Sequence, residues 1–79
     1  MKYPLIVSNI EILGGKPCIK GTRISVQMIL EWLASGASIQ DIRDKYNHLA
    51  IEAIQQAISY ASDALGNEII IEIEHSKAA

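Results

Sequence analysis

The residues of this sequence that could do chemistry gather first in the stretch Gly14-Gly15-Lys16-Pro17-Cys18-Ile19-Lys20-Gly21-Thr22. Glycines with lysines can cradle a phosphate, because bare backbone N–H groups and ammonium groups both attract an anion. Here Gly15, Lys20, Gly21 and Thr22 do not follow the glycine-lysine-threonine order of a phosphate loop, and no strand-loop-helix unit surrounds them. Cys18 has no base beside it in sequence and reads as a small buried thiol rather than a nucleophile. His48 and His75 are separated by a whole helical segment and lack paired cysteines, which argues against metal ligation. No catalytic residue, metal or cofactor is therefore expected, and the chain is read as a non-enzyme.

A second chemistry, contact with nucleic acid, has better placed residues. Gln55, Gln56 and Ser59 lie outward on a helical segment with Glu52 and Ser62, and glutamine can pair bidentately with adenine while serine reaches base or phosphate. That segment carries no Lys or Arg, so a grip on phosphate must come from Lys16, Lys20, Arg23, Arg43 and Lys45 elsewhere. The bland alternative for Gln55 and Gln56 is a solvated helix face. A third set suits a protein partner: Met28 and Trp32, one helical turn apart, and the alternating run Glu68, Ile69, Ile71, Glu72, Ile73 and Glu74.

The elements that position these residues follow from periodicity. Leu5-Ile6-Val7 and Pro17-Cys18-Ile19 read as two short strands, joined and followed by the turns Gly14-Gly15-Lys16-Pro17 and Lys20-Gly21-Thr22. From Ser25, a serine suited to cap a helix, the apolar positions Val26, Ile29, Leu30, Leu33 and Ala34 form one helix face, and Gly36 ends it. Ser38 with Asp41 predicts a capping box, and Ile39, Ile42 and Tyr46 form the inward side of a second helix. A third helix carries Ile51, Ile54, Ile58, Ala61 and Leu65 inward and stops at Gly66. Its first residue follows Ala50, which has no capping oxygen, unless Asn47 serves instead. Ile69, Ile71 and Ile73 then alternate as a half-buried strand that must pair within the chain or with another chain.

The expected architecture is mainly α: a three-helix, helix-turn-helix core of winged-helix or homeodomain-like type, with a small N-terminal β element and a C-terminal β-strand. Residues 1–79 form one domain, divided into a β/turn platform at 1–24, the helical core at 25–66 and a C-terminal strand and tail at 67–79.

Seventy-nine residues, 49% of them hydrophobic and 20% charged, fit one small folded domain. A chain this small buries only about 60–65% of its unfolded surface, so it commonly needs a staple. One cysteine excludes an intramolecular disulfide and fits a reducing cytoplasm, which leaves a partner, most simply a homodimer. The net charge of −2 divides unevenly, with cations in surplus before residue 46 and carboxylates in surplus after it. No apolar run reaches the roughly 20 residues of a bilayer span, so no membrane role is expected.

The stretch from Glu11 through Gly14-Gly15-Lys16-Pro17 and Lys20-Gly21-Thr22-Arg23 to Val26 resembles the signature of domain-of-unknown-function family 433. The likeness continues through Ile29-Leu30, Ser38-Ile39, Ile42, Tyr46, His48-Leu49 and Ile54 to Ala61. These small bacterial and archaeal proteins are often classed with VapB-type antitoxins, and some are encoded beside a PIN-like ribonuclease toxin. The resemblance implies an antitoxin-like module of a type II toxin-antitoxin system that neutralises the toxin and represses its own operon; with so few cations to grip phosphate, operator DNA would be bound by a dimer. A dimeric protein-interaction adaptor without a nucleic-acid role is the alternative.

Overall fold

The computed structural model describes residues 2–66 of the chain. It is mainly helical, with three helices and one small antiparallel sheet. Strand β1 (Ile6–Val7) pairs with β2 (Cys18–Ile19), placing Ile6 opposite Ile19 and Val7 opposite Cys18. The other edge of β2 is also occupied. Ile19 N–H donates to the Ile24 carbonyl at 2.9 Å, Val26 N–H donates to the Pro17 carbonyl at 2.9 Å, and Cys18 bridges Ser25. Cys18 therefore lies in the middle of a three-ply strip and is 0% exposed.

Turn chemistry holds the strip together. Between Ile19 and Ile24 the chain passes through Gly21 at φ +78, a left-handed conformation that a Cβ penalises. The Thr22 hydroxyl donates to the Ile19 carbonyl at 2.8 Å and accepts from Ile24 N–H at 3.0 Å, so one side chain closes both sides of the turn.

This strip feeds directly into helix α1 (Val26–Ala34), whose N-cap Ser25 accepts the Met28 N–H at 3.0 Å. Helix α2 (Ile39–Lys45) carries the expected capping box: Asp41 N–H donates to the Ser38 hydroxyl at 3.0 Å, and Ser38 N–H donates to the Asp41 carboxylate at 2.8 Å. Helix α3 (Ile51–Ala64) begins at Ala50 with no side-chain cap, so Asn47 does not take that role.

The core joins all five elements. Ile29 of α1 and Ile54 of α3 are its fully enclosed large side chains, with Ile6, Ile19, Ile24, Val26, Ile42 and Leu49 around them. Ala53, Ala57 and Ala61 form a row of small buried residues along α3, the i, i+4, i+8 face where neighbouring elements can approach closely. Burying each large aliphatic side chain contributes about 1.5–3 kcal/mol.

Helix α3 departs from the periodic expectation at its ends. Ile51 is 41% exposed and Leu65 is 51% exposed, although both continue the apolar stripe. The reason is length: 14 residues of α3 span about 21 Å, while the 9 residues of α1 against which it packs span about 13.5 Å. The stripe outruns its partner. Ser62, expected outward, is instead buried. The expected C-terminal strand at 67–79 lies outside the described residues.

Candidate functional site

Three surfaces gather the residues with recognition chemistry. The first is a groove of about 530 Å³ between the N-terminal segment and α3, lined by Lys2, Tyr3, Glu52, Gln55, Gln56, Ser59, Ser62 and Asp63. It unites Gln55, Gln56 and Ser59, the three residues expected to touch DNA from α3. Gln56 already has a task, because its side-chain oxygen accepts the Leu5 backbone N–H at 2.9 Å. Bidentate reading of adenine uses both ends of the amide, so Gln56 in this arrangement serves as a structural tie. The Tyr3 hydroxyl donates to the Ser59 carbonyl at 3.2 Å and bonds to the Asp63 carboxylate, which also pairs with the Lys2 ammonium at 2.8 Å. Two carboxylates, Glu52 and Asp63, face one ammonium there, a balance that disfavours phosphate.

None of the five expected phosphate-binding cations lines that groove. Lys20 and Arg23 are exposed on the Gly21 turn, and Lys16 is exposed on the preceding loop. Arg43 and Lys45 occupy the last turn of α2, where positive charge is favoured by the helix carbonyls. The Arg43 Nε is enclosed and has no hydrogen-bond partner, which leaves contact chemistry to its terminal nitrogens. His48, exposed in the turn between α2 and α3, adds a polar ring at the same end of the bundle.

An aromatic row forms the second surface. The Trp32 and Tyr46 rings stack with centroids 5.0 Å apart and planes 15° apart, and His48 meets Tyr46 edge-on at 6.4 Å. The Lys45 ammonium lies 5.6 Å from the Tyr46 ring centroid. Trp32 and Met28, paired by sequence spacing, line different hollows. Trp32 borders one of about 170 Å³ with Asp41, Lys45 and Tyr46. Met28 borders another of about 390 Å³ with Leu13, Lys16, Ser25, Gln27 and Glu31. In the Trp32 hollow, hydrogen bonds from the Ser38 backbone and then the Ser38 hydroxyl lower the pKa of Asp41 below the ordinary 3.8.

The third surface was not visible in the sequence. An apolar groove of about 290 Å³ runs between the start of α1 and the end of α3, with Pro17, Leu30, Tyr60, Ala64 and Leu65 among its walls. The one available signal was Leu65, an apolar residue at the end of a helix longer than its neighbour. The remaining partner-binding residues expected from sequence, Glu68, Ile69, Ile71, Glu72, Ile73 and Glu74, lie outside the described residues. Among the described residues no three His, Cys, Asp or Glu side chains gather as a metal site. Among them, too, no helix is long and apolar enough to cross a membrane.

One family model matches the chain. A family described as "Protein of unknown function (DUF433)" matches residues 6–61. The chain is also similar to an uncharacterised protein, y4eO, of Sinorhizobium fredii (strain NBRC 101917 / NGR234), at 33% identity over 57 residues. That match takes in 72% of this chain and 26% of the relative, so the chain spans about a quarter of the length of the curated protein it matches. No solved structure matches the chain.

Proposed function

This chain belongs to the DUF433 family, and from that premise and its surfaces we propose a non-enzymatic, antitoxin-like module that neutralises a PIN-like ribonuclease. One observation carries the reading: the polar side chains of the glycine-rich signature serve the backbone. Thr22 closes the Gly21 turn and Ser25 caps α1, so the signature builds a rigid platform and leaves its cations outward. Such a platform supports contact with a partner rather than a reaction centre.

The neutralising element in this reading is the run Glu68, Ile69, Ile71, Glu72, Ile73 and Glu74, whose alternating isoleucines can extend a partner's sheet edge while its carboxylates meet basic groups near an RNA-binding cleft. The test removes residues 67–79 and measures affinity for a PIN-like ribonuclease, should the gene's neighbour encode one. Loss of binding is the expected result, and undiminished affinity discards the tail as the neutralising element.

Operator binding is the second half of the reading. Its support is the sequence of α2, turn and α3 together with Arg43 and Lys45 at the end of α2. A different observation favours the dimeric adaptor without a nucleic-acid role: Glu52 and Asp63 share the α3 groove with Gln55 and Ser59. A gel-shift with the chain's own promoter separates the two.

A further inference from the structure

The two hollows beside the start of α1, one holding Met28 and the other Leu30 and Leu65, share Lys16, Ser25 and Gln27 and form one continuous band. We infer that this band docks a second copy of the chain, as a two-fold interface distinct from the Trp32–Tyr46 row.

Three observations select that occupant. The band is apolar along most of its length, and its exposed apolar side chains sit at both ends: Leu65, half exposed at the end of α3, and Leu13, 37% exposed at the other. Leu13 holds φ +53, in the left-handed region that residues with a Cβ seldom adopt, and its carbonyl accepts the Lys16 N–H at 3.3 Å. The backbone thus keeps a leucine beside Met28 in a conformation glycine would take more easily, a strain that persists only where the surrounding structure holds it.

The third observation is charge. The band carries one cation, Lys16, where the hollows meet, and one anion, Glu31, in the hollow with Met28. Among the described residues neither has an ion-pair partner, and the Glu31 carboxylate accepts only the Gln27 amide, at 3.0 Å. A nucleic acid or a strongly charged protein selects a surface of one sign. A surface with one charge of each sign and no net charge can pair with a copy of itself when a two-fold axis sets the cation of one against the anion of the other. In a two-fold contact every residue pair occurs twice, so Lys16 of each copy meets Glu31 of the other. The apolar centre then lies inside a polar rim, the usual anatomy of a protein interface.

Pairing does not depend on what the dimer binds, so its failure and that of the antitoxin reading can be told apart. The experiment measures the mass of the full chain by sedimentation equilibrium across concentration, with circular dichroism confirming the fold of each variant. The expected wild-type result is a dimer. Lys16→Glu and Glu31→Lys should each weaken it by about tenfold or more, the effect of setting like charges against each other twice. The double reversal, Lys16→Glu with Glu31→Lys, should restore it, and Leu65→Lys should give a folded monomer. A wild-type monomer at every concentration overturns the inference. So does a dimer indifferent to the single reversals, a double reversal that fails to rescue, or a dimer lost only when residues 67–79 are removed.

Discussion

Gln56, on α3, accepts the Leu5 backbone N–H at 2.9 Å although 51 residues separate them. Leu5 also offers its carbonyl to Lys20 N–H at 2.8 Å, so the residue entering β1 is bound to the helix on one side and to the strip on the other. The Gln56 amide thus joins the strip to α3 at the start of β1, beside the Tyr3 and Lys2 contacts to Asp63.

Removing that acceptor leaves a partly buried N–H without a partner. Gln56→Leu is expected to destabilise the fold by about 1–2 kcal/mol. Gln56→Glu, which keeps an oxygen in place, should lose less. Urea unfolding of the two variants checks the order, and equal losses would mean that the side chain's packing, not its hydrogen bond, matters.

Thr22 supports two opposed predictions because its hydroxyl both donates to Ile19 and accepts from Ile24. Thr22→Val keeps the shape and removes both bonds, with an expected loss of about 1–3 kcal/mol. Thr22→Ser keeps the oxygen and should stay within about 1 kcal/mol of wild type. Thermal denaturation of both variants is the measurement.

The capping box gives the chain a pH dependence of known sign. Asp41 has its pKa lowered in the fold, chiefly by the Ser38 backbone N–H. The folded state therefore holds its proton less tightly than the unfolded chain does. The stabilisation is present above the ordinary value of 3.8 and fades as pH falls through the lowered value. Asp41→Asn should be less stable than wild type at neutral pH, and the gap should close in acid. A gap of constant size from neutral pH to well below 3.8 would show that ionisation of Asp41 contributes nothing.

The stack of Trp32 on Tyr46 is directly observable, since the chain has one tryptophan. Tyr46→Ala exposes the indole face that the phenol now covers and removes a contact of about 0.5–1.5 kcal/mol beyond area burial. A red shift of tryptophan emission in the folded variant is expected. Unchanged emission would place the indole against other groups.

Much of this arrangement was legible in the sequence because its causes are local. Ser25, Ser38 with Asp41, Gly36 and Gly66 mark helix ends through hydrogen bonds and dihedral angles that span a few residues, and all fall where expected. The family signature is legible for the same reason, as Gly21 and Thr22 specify one turn. What escaped was set at long range. The tie from Gln56 to Leu5 depends on how the N-terminus crosses α3. The exposure of Ile51 and Leu65 depends on α3 being longer than α1, a comparison that no single helix contains. The splitting of Met28 from Trp32 has the same origin, because their helical spacing says they share a flank but not which neighbours divide it.

The operator reading makes the most exposed prediction, because the groups that favour and oppose it sit on different elements. Arg43 and Lys45 at the end of α2 are its expected phosphate contacts, while Glu52, in the first turn of α3, opposes it. Arg43→Ala combined with Lys45→Ala should weaken binding to the chain's own promoter and lower the salt slope by about two per chain, one for each lost phosphate contact. Glu52→Gln should do the reverse in affinity, since it removes a carboxylate from the α3 groove without removing bulk. If the cations and Glu52 act at one DNA surface, the two changes oppose each other, and the triple variant falls between them. Gel-shift titrations at several salt concentrations measure all four proteins. No shift by wild type at low salt and high concentration ends the DNA reading. In that case the carboxylates beside Gln55 and Ser59 are better understood as part of a surface for a basic protein segment.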